Sequence, residues 1–214
     1  MHRPEVPPSS TTHNPEQEND MVGSERTGID RAGFDRTEIE AMVQRWLDAN
    51  RAAEAAGDWK PMADLYTEDA TYGWNYGADT DFMAVGREEI RELALGAEMG
   101  GLDGWSYPYE EIIIDETKAM VVGFWRQVAD ARRDDGSEYE VRGIGGSWFR
   151  YAGDGMWNWQ RDWFDFGNAA ALFLEMMGAG VLSDGMTERM NRSMRGPLPG
   201  YYPAGQSPVG IWER

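Results

Sequence analysis

Which chemistry this chain can perform is decided first by residue types it has in short supply. Its 214 residues include no cysteine and only two histidines, His2 and His13, both in a polar N-terminal stretch. A folded part without thiol or imidazole has no Ser-His-Asp triad, no cysteine nucleophile, no disulfide framework and no His-rich zinc or iron site. Carboxylates and amides are the only metal ligands left, and no Asp-x-Asp-x-Asp-Gly loop gathers them, so no metal is expected. Two spacings stand out. Gly143, Gly145 and Gly146 fall within one apparent strand, where glycine weakens pairing but leaves room for a ligand or another backbone. Trp157, Trp159 and Trp163 share the odd positions of the last strand, a face too apolar for solvent.

Charge narrows the partners. An excess of 38 acids over 20 bases gives a net charge of −18, which opposes nucleic acid and anionic membrane, since a phosphate surface is bound by neutralising it. No run approaches the ~20 apolar residues of a membrane span, and the N-terminus lacks the apolar core of a secretory signal. The expectation is a soluble cytoplasmic protein.

The elements that must position any site read as follows. Residues 1–34 are rich in Pro, Ser, Thr, Glu and Asn, and are expected to be a disordered polar tail. Asp35 and Glu38 have capping-box spacing, with Thr37 a rival cap, and Ile39, Met42, Val43, Trp46, Leu47 and Asn50 make one helical face ending at Gly57. Asn50 is the polar member of that stripe, either a last-turn residue turned to solvent or a hydrogen bonder in a cavity. Asp58 caps a shorter helix to about Tyr66. A strand over residues 68–74 places Tyr72 and Trp74 on one face. A loop holding Asn75, Asp79 and Asp81 leads to a helix from Gly86 to about Leu95. Strands follow over 105–114, interrupted by Pro108 as at an edge or bulge, then over 120–131 and 138–151, joined by an Asp135-Gly136 hairpin. After Gly153-Asp154-Gly155 the last strand runs over 156–166. Helices first and a strand meander after them define an α+β fold with helices on one face of a curved sheet. Beyond Gly167, an apolar helix over 168–177 and a Pro/Gly/aromatic stretch are expected to pack along the domain, over a cavity mouth or onto a second subunit.

The order of these elements, with Leu65-Tyr66-Thr67-Glu68-Asp69-Ala70, Gly86-Arg87-Glu88-Glu89-Ile90 and Trp159-Gln160-Arg161-Asp162-Trp163-Phe164-Asp165, resembles the nuclear transport factor 2-like, or SnoaL-like polyketide cyclase, superfamily over about residues 36–167. The resemblance implies a cone-shaped α+β barrel: a curved, mostly antiparallel sheet closed by N-terminal helices around a deep pocket. Residues 35–167 would be that domain and 168–214 its C-terminal extension. Fold alone implies no single activity. The last strand looks most like that of limonene-1,2-epoxide hydrolase, whose pocket aspartate falls on Asp162, with Phe164 on the same face. By the same likeness the hydrolase's arginine falls on Arg126 and its tyrosine on Tyr72. Its asparagine falls on Trp74 or Asn75. The position of its second aspartate is Val128, which takes no proton, and Asp130 shares that parity one step further along. Ketosteroid isomerase fits less well, with its base position near Trp74 and its acid near Ile144.

On this resemblance Asp162, Arg126 and Tyr72 are the candidate catalytic residues. Burial raises a carboxylate's pKa and a guanidinium beside it lowers it, so an aspartate can stay ionised in a dry site while a tyrosine donates to an oxyanion. That suits proton abstraction next to a carbonyl, dehydration, retro-aldol cleavage or cyclisation, none of which needs a cofactor. Trp46, Asn50, Trp74, Asn75, Phe124, Phe164 and Gly145 would line a pocket for an aromatic, polyketide or terpenoid-like oxygenated molecule. The tryptophan face of the last strand would join subunits into a homo-oligomer or dock the C-terminal extension. Two other functions compete with this one: an epoxide hydrolase whose proton relay runs through Asp130, and a non-catalytic binder or accessory subunit.

Overall fold

The computed structural model describes residues 33–196 and 198–214. The expected tail, apart from Gly33 and Phe34, lies outside the described residues, as do both histidines. Asp35 caps helix α1 (Arg36–Ala56), its carboxylate accepting from the Thr37 amide, and Gly57 closes it at a φ of 64°. Glu38 departs from the capping-box expectation: its carboxylate accepts from the Tyr151 hydroxyl at 2.6 Å instead of turning back to the cap. A 3-10 turn over Lys60–Leu65 follows, with the Lys60 amide bonded to the Asp58 carboxylate.

Strand β1 (Tyr66–Asn75) is succeeded by β2 (Thr80–Val85), a strand where the sequence suggested loop. Its polar residue Asp81 is buried and occupied by the Asn75 amide and the Gly205 backbone. Helix α2 begins over Arg87–Glu89 and widens into a π-helix over Ile90–Ala97, closed by a hydrogen bond from the Glu98 backbone N–H to the Leu93 carbonyl. The strand expected over 105–114 is two, β3 (Trp105–Ser106) and β4 (Tyr109–Asp115), broken at Pro108. Those expected over 120–131 and 138–151 are likewise divided into β5 (Met120–Trp125), β6 (Val128–Arg132), β7 (Glu138–Glu140) and β8 (Gly145–Gly153). Strand β9 (Met156–Trp163), helices α3 (Phe166–Ala179) and α4 (Asp184–Met194), and β10 (Tyr201–Pro203) complete the chain.

The architecture is α+β. Seven strands pair in the order β10-β2-β1-β9-β8-β5-β4, and β3-β6-β7 form a second, small sheet. The larger sheet is antiparallel except where β1 lies parallel to β9. It is not closed by hydrogen bonds, since β10 and β4 remain edges, so helices and the C-terminal segment complete the enclosure. Ile39, Met42 and Trp46 of α1 pack with Tyr66, Phe149 and Trp157 in the main core. A second core lies around Trp105, Leu172, Met176 and Met186.

Trp157 corrects an expectation. A register shift between Arg150 and Tyr151 breaks the strict alternation of β9. Trp157 is therefore in the main core, stacked on Phe149 with centroids 4.9 Å apart, and only Trp159 and Trp163 remain of the expected tryptophan face. Trp159 is covered by the chain's own end: its indole donates to the Glu213 carbonyl at 2.6 Å. Beside it the buried Arg161 donates to the carbonyls of Ile211 and Thr71, and desolvation pulls its pKa down to about 10.

Candidate active site

A cavity of about 430 Å³ lies between the sheet, α1, α2 and the C-terminal helices. The parallel pairing of β1 with β9 sets Tyr72 beside Gln160 and Trp74 beside Asp162, and the antiparallel pairing with β8 sets Ser147 opposite Asp162. Strand alternation turns Gln160 and Asp162 to the same side. The Tyr72 hydroxyl donates to Asp162 Oδ2 at 2.5 Å and the Gln160 amide donates to Oδ1 at 2.8 Å. Gln160 is oriented in turn by the Tyr66 hydroxyl, which donates to its carbonyl oxygen. Next to these, Tyr109 accepts from the Trp46 indole at 3.1 Å, and Ser147 accepts from the Trp125 indole at 3.0 Å.

Burial pushes the Asp162 carboxyl above its ordinary range, and the hydrogen bonds from Gln160, Tyr72 and Ser147, with the Arg161 charge, hold it part of the way back. Desolvation, then the Asp162 charge, pushes the Tyr72 and Tyr66 hydroxyls well up. The tyrosines therefore stay protonated and act as donors, while Asp162, whose hold on a proton is strengthened by burial, is the group of this cluster suited to take one.

Of the residues singled out in the sequence, Asp162, Tyr72, Trp46, Asn50, Trp74 and Phe164 line this cavity. Asn50 is buried and not turned to solvent, and its amide donates to the Glu54 carboxylate one turn on at 2.8 Å. The others are not brought here. Arg126 stands outside the lining, paired with Glu140 at 2.6 Å and reaching Glu110 and Glu138. It follows the end of β5, where the chain leaves the large sheet for the small one, so its expected strand parity does not carry. Asn75 is exposed and spent on Asp81. Phe124 packs edge-on against Trp163, 5.8 Å between centroids, away from the cavity. Asp130 is exposed on β6 and Val128 is buried there.

Gly145 does not make room for a ligand. A Cβ there would fall 2.2 Å from the Trp125 ring, and one on Gly146 2.0 Å from the Trp163 ring, so the glycines admit tryptophans.

A second polar cluster lies in the same cavity, where α4 and β10 meet the end of α2. The buried Glu98 carboxylate accepts from the Tyr201 hydroxyl at 2.7 Å and from Arg189 at 3.3 Å, and Arg192 donates to the Ala97 carbonyl at 2.7 Å. Phe173, Met186, Met190 and Leu198 give this side its apolar surface. Sequence reading missed these residues, with Gln160, Ser147 and Tyr109. Gln160 alone carried a signal, being two residues before Asp162 on one strand face.

Residues 43–159, more than half of the chain, match the family model described as a SnoaL-like domain. The chain belongs to the SnoaL-like domain family. The match ends before Asp162, and α3, α4 and β10 lie beyond it. Similar solved structures include an NTF2-like protein from Anabaena variabilis, 18% identical, with a TM-score of 0.46 and covering 62% of this chain and 93% of its own. A phenazine biosynthesis-related protein from Pseudomonas aeruginosa is 14% identical, with a TM-score of 0.42 and coverage of 62% and 89%. The epoxide hydrolase/cyclase-like enzyme SalBIII of salinomycin pyran-ring formation is 14% identical, with a TM-score of 0.46 and coverage of 63% and 95%. No curated protein matches significantly. Among the described residues, no helix is long and apolar enough to cross a membrane.

Proposed function

We propose that this chain is an acid–base enzyme of the lyase or isomerase kind, working without a cofactor on a hydrophobic oxygenated small molecule, with Asp162 as the base. The carrying observation is the Asp162 carboxylate in a largely apolar cavity, held by Tyr72 at 2.5 Å and Gln160 at 2.8 Å. A proton on carbon next to a substrate carbonyl passes to Asp162, and the electron pair moves onto the carbonyl oxygen as an enolate. Returning the proton at another carbon completes an isomerisation; passing it to a β-hydroxyl, which departs as water as the enolate re-forms the carbonyl, completes an elimination. Once Asp162 is protonated, its claim on the Tyr72 hydroxyl weakens, and that hydroxyl is free to stabilise the oxyanion. Positioned acid–base groups supply roughly 10²–10⁴-fold, and the apolar walls supply orientation.

An aromatic or polyketide-like body suits walls built from Trp46, Trp59, Trp74, Trp125 and Phe164. The epoxide-hydrolase reading through Asp130 requires a carboxylate that is exposed on another sheet, so it is the weaker of the two enzyme readings. A crystal soaked with an aromatic 1,3-diketone tests the proposal. The acidic CH₂ of the ligand within about 3.5 Å of an Asp162 oxygen supports it; a ligand seated with no approach to Asp162 supports a non-catalytic binder instead.

A further inference from the structure

Four charged side chains line the cavity, and they are not evenly shared. Asp162 stands on β9, while Glu98, Arg189 and Arg192 gather where α4 meets α2. Glu98 is answered by Arg189 and the Tyr201 hydroxyl, so that pair is close to neutral as a unit. Arg192 then adds an uncompensated positive charge. Its side chain is partly buried, its Nη2 donates only to the Ala97 carbonyl, and among the described residues no carboxylate pairs with it. Its Nε is buried with no hydrogen-bond partner. In a chain with 38 acids, a half-buried guanidinium without one is unusual, and an unsatisfied charged donor is costly to bury.

We infer that Arg192 is the anchor for a carboxylate of the ligand, and that the ligand is an amphipathic acid whose apolar body fills the rest of the cavity. The inference rests on the proposed site but not on its chemistry. It concerns α4, which lies beyond the family match, so it describes what this chain selects for within a fold that many activities share. A guanidinium fork meets a carboxylate with two parallel hydrogen bonds, which a neutral alcohol of the same shape cannot reproduce.

The test compares 2-naphthaleneacetate with 2-naphthaleneethanol, two probes with one apolar body, by calorimetry on the full chain. The acid is expected to bind about tenfold more tightly, the size of one charge-assisted contact. Arg192→Met is expected to abolish that preference while leaving the affinity of the alcohol within about twofold, which shows the cavity intact. Arg192→Lys should keep part of it, and Asp162→Asn should not reduce it. Equal binding of the two probes, failure of the acid to bind, or a preference that survives Arg192→Met would overturn the inference. None of these results bears on proton abstraction, which Asp162→Asn tests separately.

Discussion

The Tyr72 hydroxyl meets Asp162 Oδ2 at 2.5 Å across 90 residues of sequence, because β1 lies parallel to β9. This bond tunes the base as well as holding it. A donor to a carboxylate favours its charged form, so Tyr72→Phe is expected to raise the Asp162 pKa further. The acid limb of the pH–rate profile should move to higher pH, with a fall in rate of roughly 10- to 100-fold. An unmoved limb would show that the hydroxyl does not act on Asp162.

Asp162 also gives stability a pH dependence of predictable sign. Its pKa is raised above the ordinary 3.8, mainly by desolvation. The folded chain therefore holds this proton to higher pH than the unfolded chain does. The stability it contributes is fully present below the unfolded value and is lost as pH rises through the folded value. Above the folded value the ionised carboxylate is a net cost, and Asp162→Asn is expected to stabilise there by on the order of 1 kcal/mol, roughly 2–4 °C in Tm at this size. The gain should shrink toward pH 4. Thermal melts of the two proteins across that range check it.

Glu98 holds the C-terminal helices to the rest of the cavity. Its carboxylate bonds Tyr201 of β10 and Arg189 of α4, and Gly101 and Gly185 let the two backbones approach too closely for a side chain on either. Glu98→Ala takes the carboxylate away from the Tyr201 hydroxyl and from Arg189 Nη2, and is expected to cost roughly 1–3 kcal/mol. Hydrogen exchange should quicken in Asp184–Met194 before it does in α1. Uniform exchange across the chain would contradict a docking role.

Gly145→Ala tests the glycines as seats for tryptophan. The added methyl would displace Trp125, whose indole bonds Ser147 and whose ring lines the cavity. Overpacking of this kind costs roughly 1–3 kcal/mol. The cavity should shrink and affinity for a naphthalene-sized probe should fall. Unchanged affinity and Tm would mean that Trp125 yields without cost.

The parts of this molecule that were legible in the sequence are those where a local pattern and the tertiary structure agree. The stripe from Ile39 to Asn50 reads as α1 and Asp135-Gly136 as the β6–β7 hairpin, whereas the pocket place of Asp162 comes from the likeness of its strand to that of limonene-1,2-epoxide hydrolase. Strand β2 was hidden because its buried acid, Asp81, reads as loop until Asn75 and the Gly205 amide are seen to satisfy it. Arg126 was misplaced because β propensity runs on unbroken where the chain changes sheets. Trp157 changed face because a register shift leaves no mark in composition. Glu98 and Arg189 are 91 residues apart, and nothing local to either announces the other.

The account stands most directly on Asp162 as the base. Deuterium wash-in from D₂O at the acidic carbon of an aromatic 1,3-diketone, followed by NMR, reads proton abstraction whatever the later steps of the reaction. The wild-type chain is expected to accelerate exchange well above buffer, and Asp162→Asn to remove roughly 10²–10⁴-fold of that rate while its melt shows a folded protein. Exchange at the same rate in both proteins would contradict the account and leave the cavity a binding site.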